Sequence, residues 1–169
     1  MAESDADAFW RFSLAFYARP GVSDACLAAQ DRLGADVNLL LYMLFLALRG
    51  QAVEPEAVRH LDGRVATWRR EVVERLRAVR RWLKTADPGS ALRREVQRLE
   101  LEAERQEQAL LAGEPPTCAE TDPDTAAEQN LAACLRLLGA DGAESTRALL
   151  RHFVDFRTAE PATQERAAR

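Results

Sequence analysis

Val58, Leu61, Val65, Trp68, Val72, Leu76, Val79 and Leu83 recur at spacings of three and four residues without interruption. That periodicity confines the apolar side chains to one narrow stripe of a helix about eight turns long, which cannot stand alone in water and needs a second apolar stripe to lie against. Leu92, Val96, Leu99, Ala103, Gln106 and Leu110 supply one at spacings of four and three. Only the short Asp87-Pro88 break separates the two series, so the least costly arrangement is an antiparallel helical hairpin over about 55–112. Pro55 suits the first position of its first arm, where a missing amide hydrogen is harmless. Asp87-Pro88 is expected to cap the second.

The rest of the chain carries the same helical punctuation. Ser4 with Asp7 three positions on forms a capping pair for a helix that ends before Pro20-Gly21. Ser23 and Gly34 bracket a short second helix bearing Cys26, Leu27 and Leu33, and Asp36 caps a third from Val37 to Arg49. Apart from Asn38, every residue between the ends of the third helix is apolar. It has no solvent face and must be the centre of the core. Residues 113–123, rich in Pro and acidic groups, read as a mobile linker. Beyond them a sixth helix is expected from Pro123 to Leu138, and a seventh after Asp141, with Asp141 and Glu144 as a capping box. No period-two alternation occurs, and no sheet is expected. The reading is an all-α single domain over 1–157: about seven helices, a short N-terminal helical core carrying the hairpin, a C-terminal pair at 124–157, and a disordered tail at 158–169.

Composition narrows the function classes. Three cysteines without a Cys-x-x-Cys spacing and two distant histidines, His60 and His152, offer neither a disulfide framework nor a metal site. The longest apolar run, 39–48, is half the roughly 20 residues that cross a bilayer, and the acidic first residues do not resemble a signal peptide. A cytoplasmic chain with no membrane partner is expected. Neither phosphate-binding glycine motif occurs, no catalytic residue can be assigned and no cofactor is expected.

Phe9-Trp10, Tyr17, Pro20-Gly21-Val22, Cys26-Leu27, Gln30-Asp31 and the run Gly34-Ala-Asp-Val-Asn-Leu-Leu40, read in order, resemble the proteobacterial domain of unknown function 2390 family. The resemblance covers roughly the first two-thirds of the chain. It implies a bacterial helical domain and transfers no activity, substrate or partner.

Two groups of residues stand out as candidate sites. Gln30, Asp31, Asp36 and Asn38, with Trp10, place polar groups beside the most apolar helix. Their ordinary roles are capping and buried hydrogen bonding; the functional alternative is a pocket for a metal or a small polar ligand, although their spacing matches no calcium loop. The second group is basic. Residues 59–94 carry eleven basic against four acidic side chains, a net +7 in a chain of −4 overall. Such a face can dock a partner through Arg70, Arg77, Arg81, Trp82 and Lys84. Against this stands neutralisation across the hairpin by Glu95, Glu100, Glu102, Glu104 and Glu107.

These features leave three functions open. The first is a non-enzymatic protein-interaction or adaptor domain whose hairpin docks another protein. The second is a small-ligand or metal-binding protein, or an enzyme, built on the Asp31, Asp36 and Asn38 cluster. Nucleic-acid or other polyanion binding along the arginine face is the third, disfavoured by the acidic overall balance.

Overall fold

The computed structural model describes residues 4–140 and 144–159. Helix α1, Asp5–Tyr17, begins at Ser4, whose Oγ accepts from the Asp7 amide at 3.1 Å while the hydroxyl donates to the Asp7 carboxylate at 2.6 Å. Helix α2, Val22–Leu33, has its cap at Gly21, two residues before the expected Ser23. Gly21 has φ 85°, and a Cβ there would lie 2.9 Å from the His152 ring. A larger residue would therefore face both backbone strain and the last helix. Helix α3, Val37–Leu48, has its cap at Asp36, which accepts from the Asn38 amide at 2.8 Å.

The first arm of the hairpin is α4, Pro55–Trp68, and α5, Glu74–Ala86, joined without a break through a π-helical turn over Arg69–Val73. The second arm is α6, Ala91–Ala112, capped by Ser90 rather than Asp87, since Ser90 Oγ accepts from the Arg93 amide at 3.1 Å. Counting the first arm as one rod, the described residues form seven helical rods, an all-α bundle. Helices α7, Pro123–Leu137, and α8, Glu144–Ala159, complete it. Asp141, the expected cap of α8, and residues 160–169 lie outside the described residues.

Two expectations need correction. A small sheet exists: β1, Gln51–Val53, pairs antiparallel with β2, Cys118–Glu120, in the register Gln51 to Glu120 and Val53 to Cys118. The segment expected to be a linker thus carries a strand. Gly50 closes the pairing at φ 69°, where a Cβ would lie 2.6 Å from the Thr121 carbonyl oxygen. Asn130, fully buried on α7, secures β1 by accepting from the Val53 amide at 2.7 Å and donating to the carbonyls of Met43 and Gln51, each at 3.0 Å.

The second correction concerns the seam. Helix α6 buries Val96 and Ala103 as expected, but Glu100, Glu107 and Leu111 turn inward in place of the expected Leu99, Gln106 and Leu110, and Leu92 stays outside. Leu92 is 60% exposed and Leu99 41%. The stripe that turns inward includes two glutamates because arginines of the first arm meet them. Arg77 donates to Glu100 at 3.4 Å and to Glu104 at 2.8 Å, and Arg80 donates to Glu100.

Helix α3 lies at the centre, with every residue from Asn38 to Ala47 buried. Phe9, Phe12 and Phe16 of α1 meet Tyr42 and Phe45 of α3 and Phe156 of α8 in ring contacts between 5.0 and 5.7 Å. The C-terminal helices accordingly share the core with the N-terminal ones, Leu149 and Phe153 being fully buried. No described helix is long and apolar enough to cross a membrane.

Candidate functional site

An ionic cluster sits where the N-terminus of α3 meets the π turn. The wider π coil shifts side chains out of the regular helical register, and such turns recur at functional positions. Here the turn opens with Arg69, which reaches three carboxylates. Its Nη2 stands 2.5 Å from Asp36 Oδ2, its Nη1 2.9 Å from Asp62 Oδ1, and its Nε 3.3 Å from Glu107 Oε1.

Glu107 is wholly buried. Burial pushes its carboxyl up to about 8, aided by the nearby charge of Asp36 and a hydrogen bond with it, and opposed by Arg69 and Asn38. Burial thus favours the protonated form of Glu107, and Arg69 faces less negative charge than a formal count of three carboxylates suggests. A relay of amides leads outward. Asn38 Nδ2 donates to Glu107 Oε2 at 3.1 Å, and Gln108 Nε2 donates to Asn38 Oδ1 at 2.9 Å. Because a carboxyl oxygen accepts at the inner end, each amide in turn is oriented, and Gln108 Oε1 is left without a hydrogen-bond partner.

Outside that relay lies a cavity of about 850 Å³ between α1, α2 and the hairpin. Trp10, Leu14, Tyr17, Leu27 and Leu101 form its apolar wall. Four of these, Leu14, Tyr17, Leu27 and Leu101, are between 37% and 49% exposed, an unusual concentration of uncovered apolar surface on one concave face. Asn38, Gln108 and Ser13 form the floor; Arg77, Arg80, Arg81, Arg94 and Arg98 stand along the other side. Most of those guanidiniums have acceptors within the chain: Arg77 and Arg80 on Glu100, Arg98 on Glu95, and Arg94 on the Gly89 carbonyl at 2.8 Å. Arg94 keeps donors to spare, since a guanidinium has five. Glu104 also lines the cavity, and burial raises its pKa despite Arg77.

Of the residues singled out in the sequence, Trp10, Gln30 and Asn38 line this cavity. Asp36 does not: its carboxylate caps α3 and pairs with Arg69. Asp31 is exposed on α2 and is not part of the lining either. Among the described residues no group of three or more His, Cys, Asp or Glu side chains could hold a metal ion. In the basic group, Arg70 is exposed and pairs with Glu71 at 2.8 Å, Arg77 is turned inward, and Arg81 lines the cavity. Trp82 is 69% exposed, and Lys84 is exposed beside it.

Sequence reasoning missed Ser13, Arg69 and Gln108 as site residues, and named Glu107 only as a charge neutralising the basic arm, which it does through Arg69. The available signal lay in the seam: Glu100 and Glu107 are one heptad apart on α6, and Arg69 and Arg77 two turns apart on the first arm. Matched opposite charges at heptad spacing can mark an ionic seam as readily as a solvated face.

The profile of a family described as protein of unknown function, DUF2390, matches residues 8–111, from α1 almost to the end of α6. Every residue lining the cavity falls inside that segment. No curated protein and no solved structure matches the chain.

Proposed function

The chain belongs to this family of proteins of unknown function, and from that premise we propose that it binds a small organic anion with an apolar body in the cavity between α1, α2 and the hairpin. The observation that carries this reading is the pairing, on one concave face, of half-exposed Leu14, Tyr17, Leu27 and Leu101 with the guanidiniums of Arg81 and Arg94. A volume of about 850 Å³ is in the range of small-molecule sites. The side chains present favour an anion over a cation, because the two carboxylates of the lining, Glu100 and Glu104, are already engaged by Arg80 and Arg77.

Titration with anilinonaphthalene sulfonate, an aromatic body bearing one anionic group, tests the reading. The expected result is saturable one-site fluorescence that Leu101→Glu abolishes and Arg81→Glu weakens, with unchanged near-ultraviolet circular dichroism. Fluorescence indifferent to Leu101→Glu would remove the cavity from consideration.

Docking of another protein on the hairpin has one specific observation in its favour, the 69% exposed Trp82 between Arg81 and Lys84. It draws less support from the arginines than their number suggests, since Arg70, Arg75, Arg77, Arg80 and Arg98 each pair with a glutamate. The same pairing weakens the polyanion reading, which requires several free guanidiniums to meet phosphates.

A further inference from the structure

Nine large apolar side chains are exposed among the described residues, and eight of them fall on two faces. Leu14, Tyr17, Leu27 and Leu101 belong to the cavity, and Val79, Trp82, Leu92 and Leu99 belong to the hairpin. Leu92 and Leu99 stand about half a turn around α6 from Leu101, and Val79 about half a turn around α5 from Arg77 and Arg81. The second group therefore lies on the face turned away from the cavity. Helix α5 packs chiefly on α6 and the π turn, so the main bundle gives this face little cover. All four side chains are between 41% and 69% exposed, and they form one patch rather than scattered surface residues.

Each arm carries a stripe there at spacings of three and four: Arg75, Val79, Trp82 and Ala86 on α5, and Leu92, Glu95, Leu99 and Glu102 on α6. Such a face on two antiparallel helices is half of a four-helix bundle. The ion pairs of the seam fix the relative heights of the arms. Arg77 meets Glu104 and Arg80 meets Glu100, which puts Val79 level with Leu99, Ala86 level with Leu92, and Arg75 within one turn of Glu102.

Two different two-fold axes bring a second hairpin onto the patch. An axis across the arms sets α6 on its own copy and places Glu95 opposite Glu102, like charge on like. An axis along the arms sets α5 antiparallel on α6 of the second copy, with Arg75 opposite Glu102, Val79 opposite Leu99, and Trp82 and Ala86 over Leu92. The Arg75 side chain is 71% exposed and keeps donors beyond its bond to Glu71. We propose that the outer face of the hairpin is covered by a second copy of this chain, related by the axis along the arms, in a closed four-helix bundle. A basic stripe and an acidic stripe at matching heights make the face complementary to itself, independently of what the cavity binds.

Sedimentation velocity of the full chain from about 1 to about 200 μM tests this, because a two-helix face about 20 Å long sits at the small end of specific interfaces. A monomer–dimer equilibrium is expected. Trp82→Glu should weaken it about tenfold or more, whereas Leu101→Glu, on the cavity side, should leave it unchanged; far-ultraviolet circular dichroism checks that both variants fold. Arg75→Glu and Glu102→Arg should each weaken the dimer, and the two together should restore it, since the pair is then reversed but still matched. A monomer at every concentration overturns the proposal and leaves the face to a foreign protein. A dimer indifferent to Trp82→Glu overturns it as well, by placing the contact on another surface. Failure of the combined charge reversal to restore a dimer weakened by each single one excludes the axis along the arms.

Discussion

A carboxyl group with no exposure stands at the centre of the ionic cluster, and its proton carries a consequence for stability. Glu107 is raised from 4.5 to about 8 by burial and by Asp36. Between those values the folded chain holds a proton that the unfolded chain has released, so stability falls as pH rises across that window and levels off above it. Glu104, raised by burial, contributes with the same sign. Chemical denaturation at about pH 5.5, low in that window, and at about pH 8.5, above it, should give a lower midpoint at the higher pH for the wild-type chain. Glu107→Gln, which cannot ionise and keeps an acceptor for Asn38 while losing the one for Arg69 Nε, should flatten most of that slope. At the neighbouring position, Asn38→Leu leaves Glu107 Oε2 and Gln108 Nε2 without their partner. A loss of about 1–3 kcal/mol is expected from a buried polar group so stranded, read as a lower denaturation midpoint; an unchanged midpoint would mean that the amide has no structural part.

At the scale of elements, the hairpin is held by a seam that is half apolar and half ionic. Val96, Ala103 and Leu111 alternate on α6 with Glu100 and Glu107, and Arg69, Arg77 and Arg80 face them from the first arm. Truncating Glu100 would leave the partly buried Arg80 guanidinium without its acceptor and Arg77 with Glu104 alone, so Glu100→Ala should cost about 2–3 kcal/mol. Leu99→Gln, one residue away, should cost less, about 0.5 kcal/mol, because that side chain is already 41% exposed. A heptad seam of the expected register would give the reverse order, so thermal or denaturant unfolding of the two variants distinguishes the registers. The π turn belongs to the same design: it places Arg69 on Asp36 of the α3 cap and on Glu107 of α6 at once. Three elements are thereby tied at one cation.

In the molecule as a whole, α3 is surrounded by α1, α6, α7 and the small sheet. Leu44, fully buried in its middle, should lose about 2–5 kcal/mol on truncation to Ala, through lost burial and the cavity left behind. Phe153 of α8 is equally buried. Its truncation to Ala should cost about 3–5 kcal/mol, as large an effect from the C-terminal pair as from the central helix. Denaturation of Phe153→Ala as a single cooperative transition with a reduced midpoint is the expected outcome. A transition near the wild-type midpoint would separate α8 from the core.

Helix positions were legible in the sequence because their signals are local: Ser4, Gly34, Asp36 and Pro55 act on the amides and dihedrals of their own turns. The apolar run of α3 likewise fixed its own burial, since a helix without a polar face has nowhere else to go. Trp10, Gln30 and Asn38 could be singled out for the same reason, as polar or aromatic groups beside that run. Tertiary structure alone decided the rest. Whether Glu100 and Glu107 turn inward depends on arginines some 20 to 40 residues away, and a spacing pattern read on one helix does not contain its partner's charges. The pairing of β1 with β2 joins three-residue strands too short to carry any alternation, over a separation set by the whole hairpin. The cavity is decided at that level too: its wall comes from α1, α2 and α6, its floor from Ser13, Asn38 and Gln108 on three helices, and only packing brings them to one place.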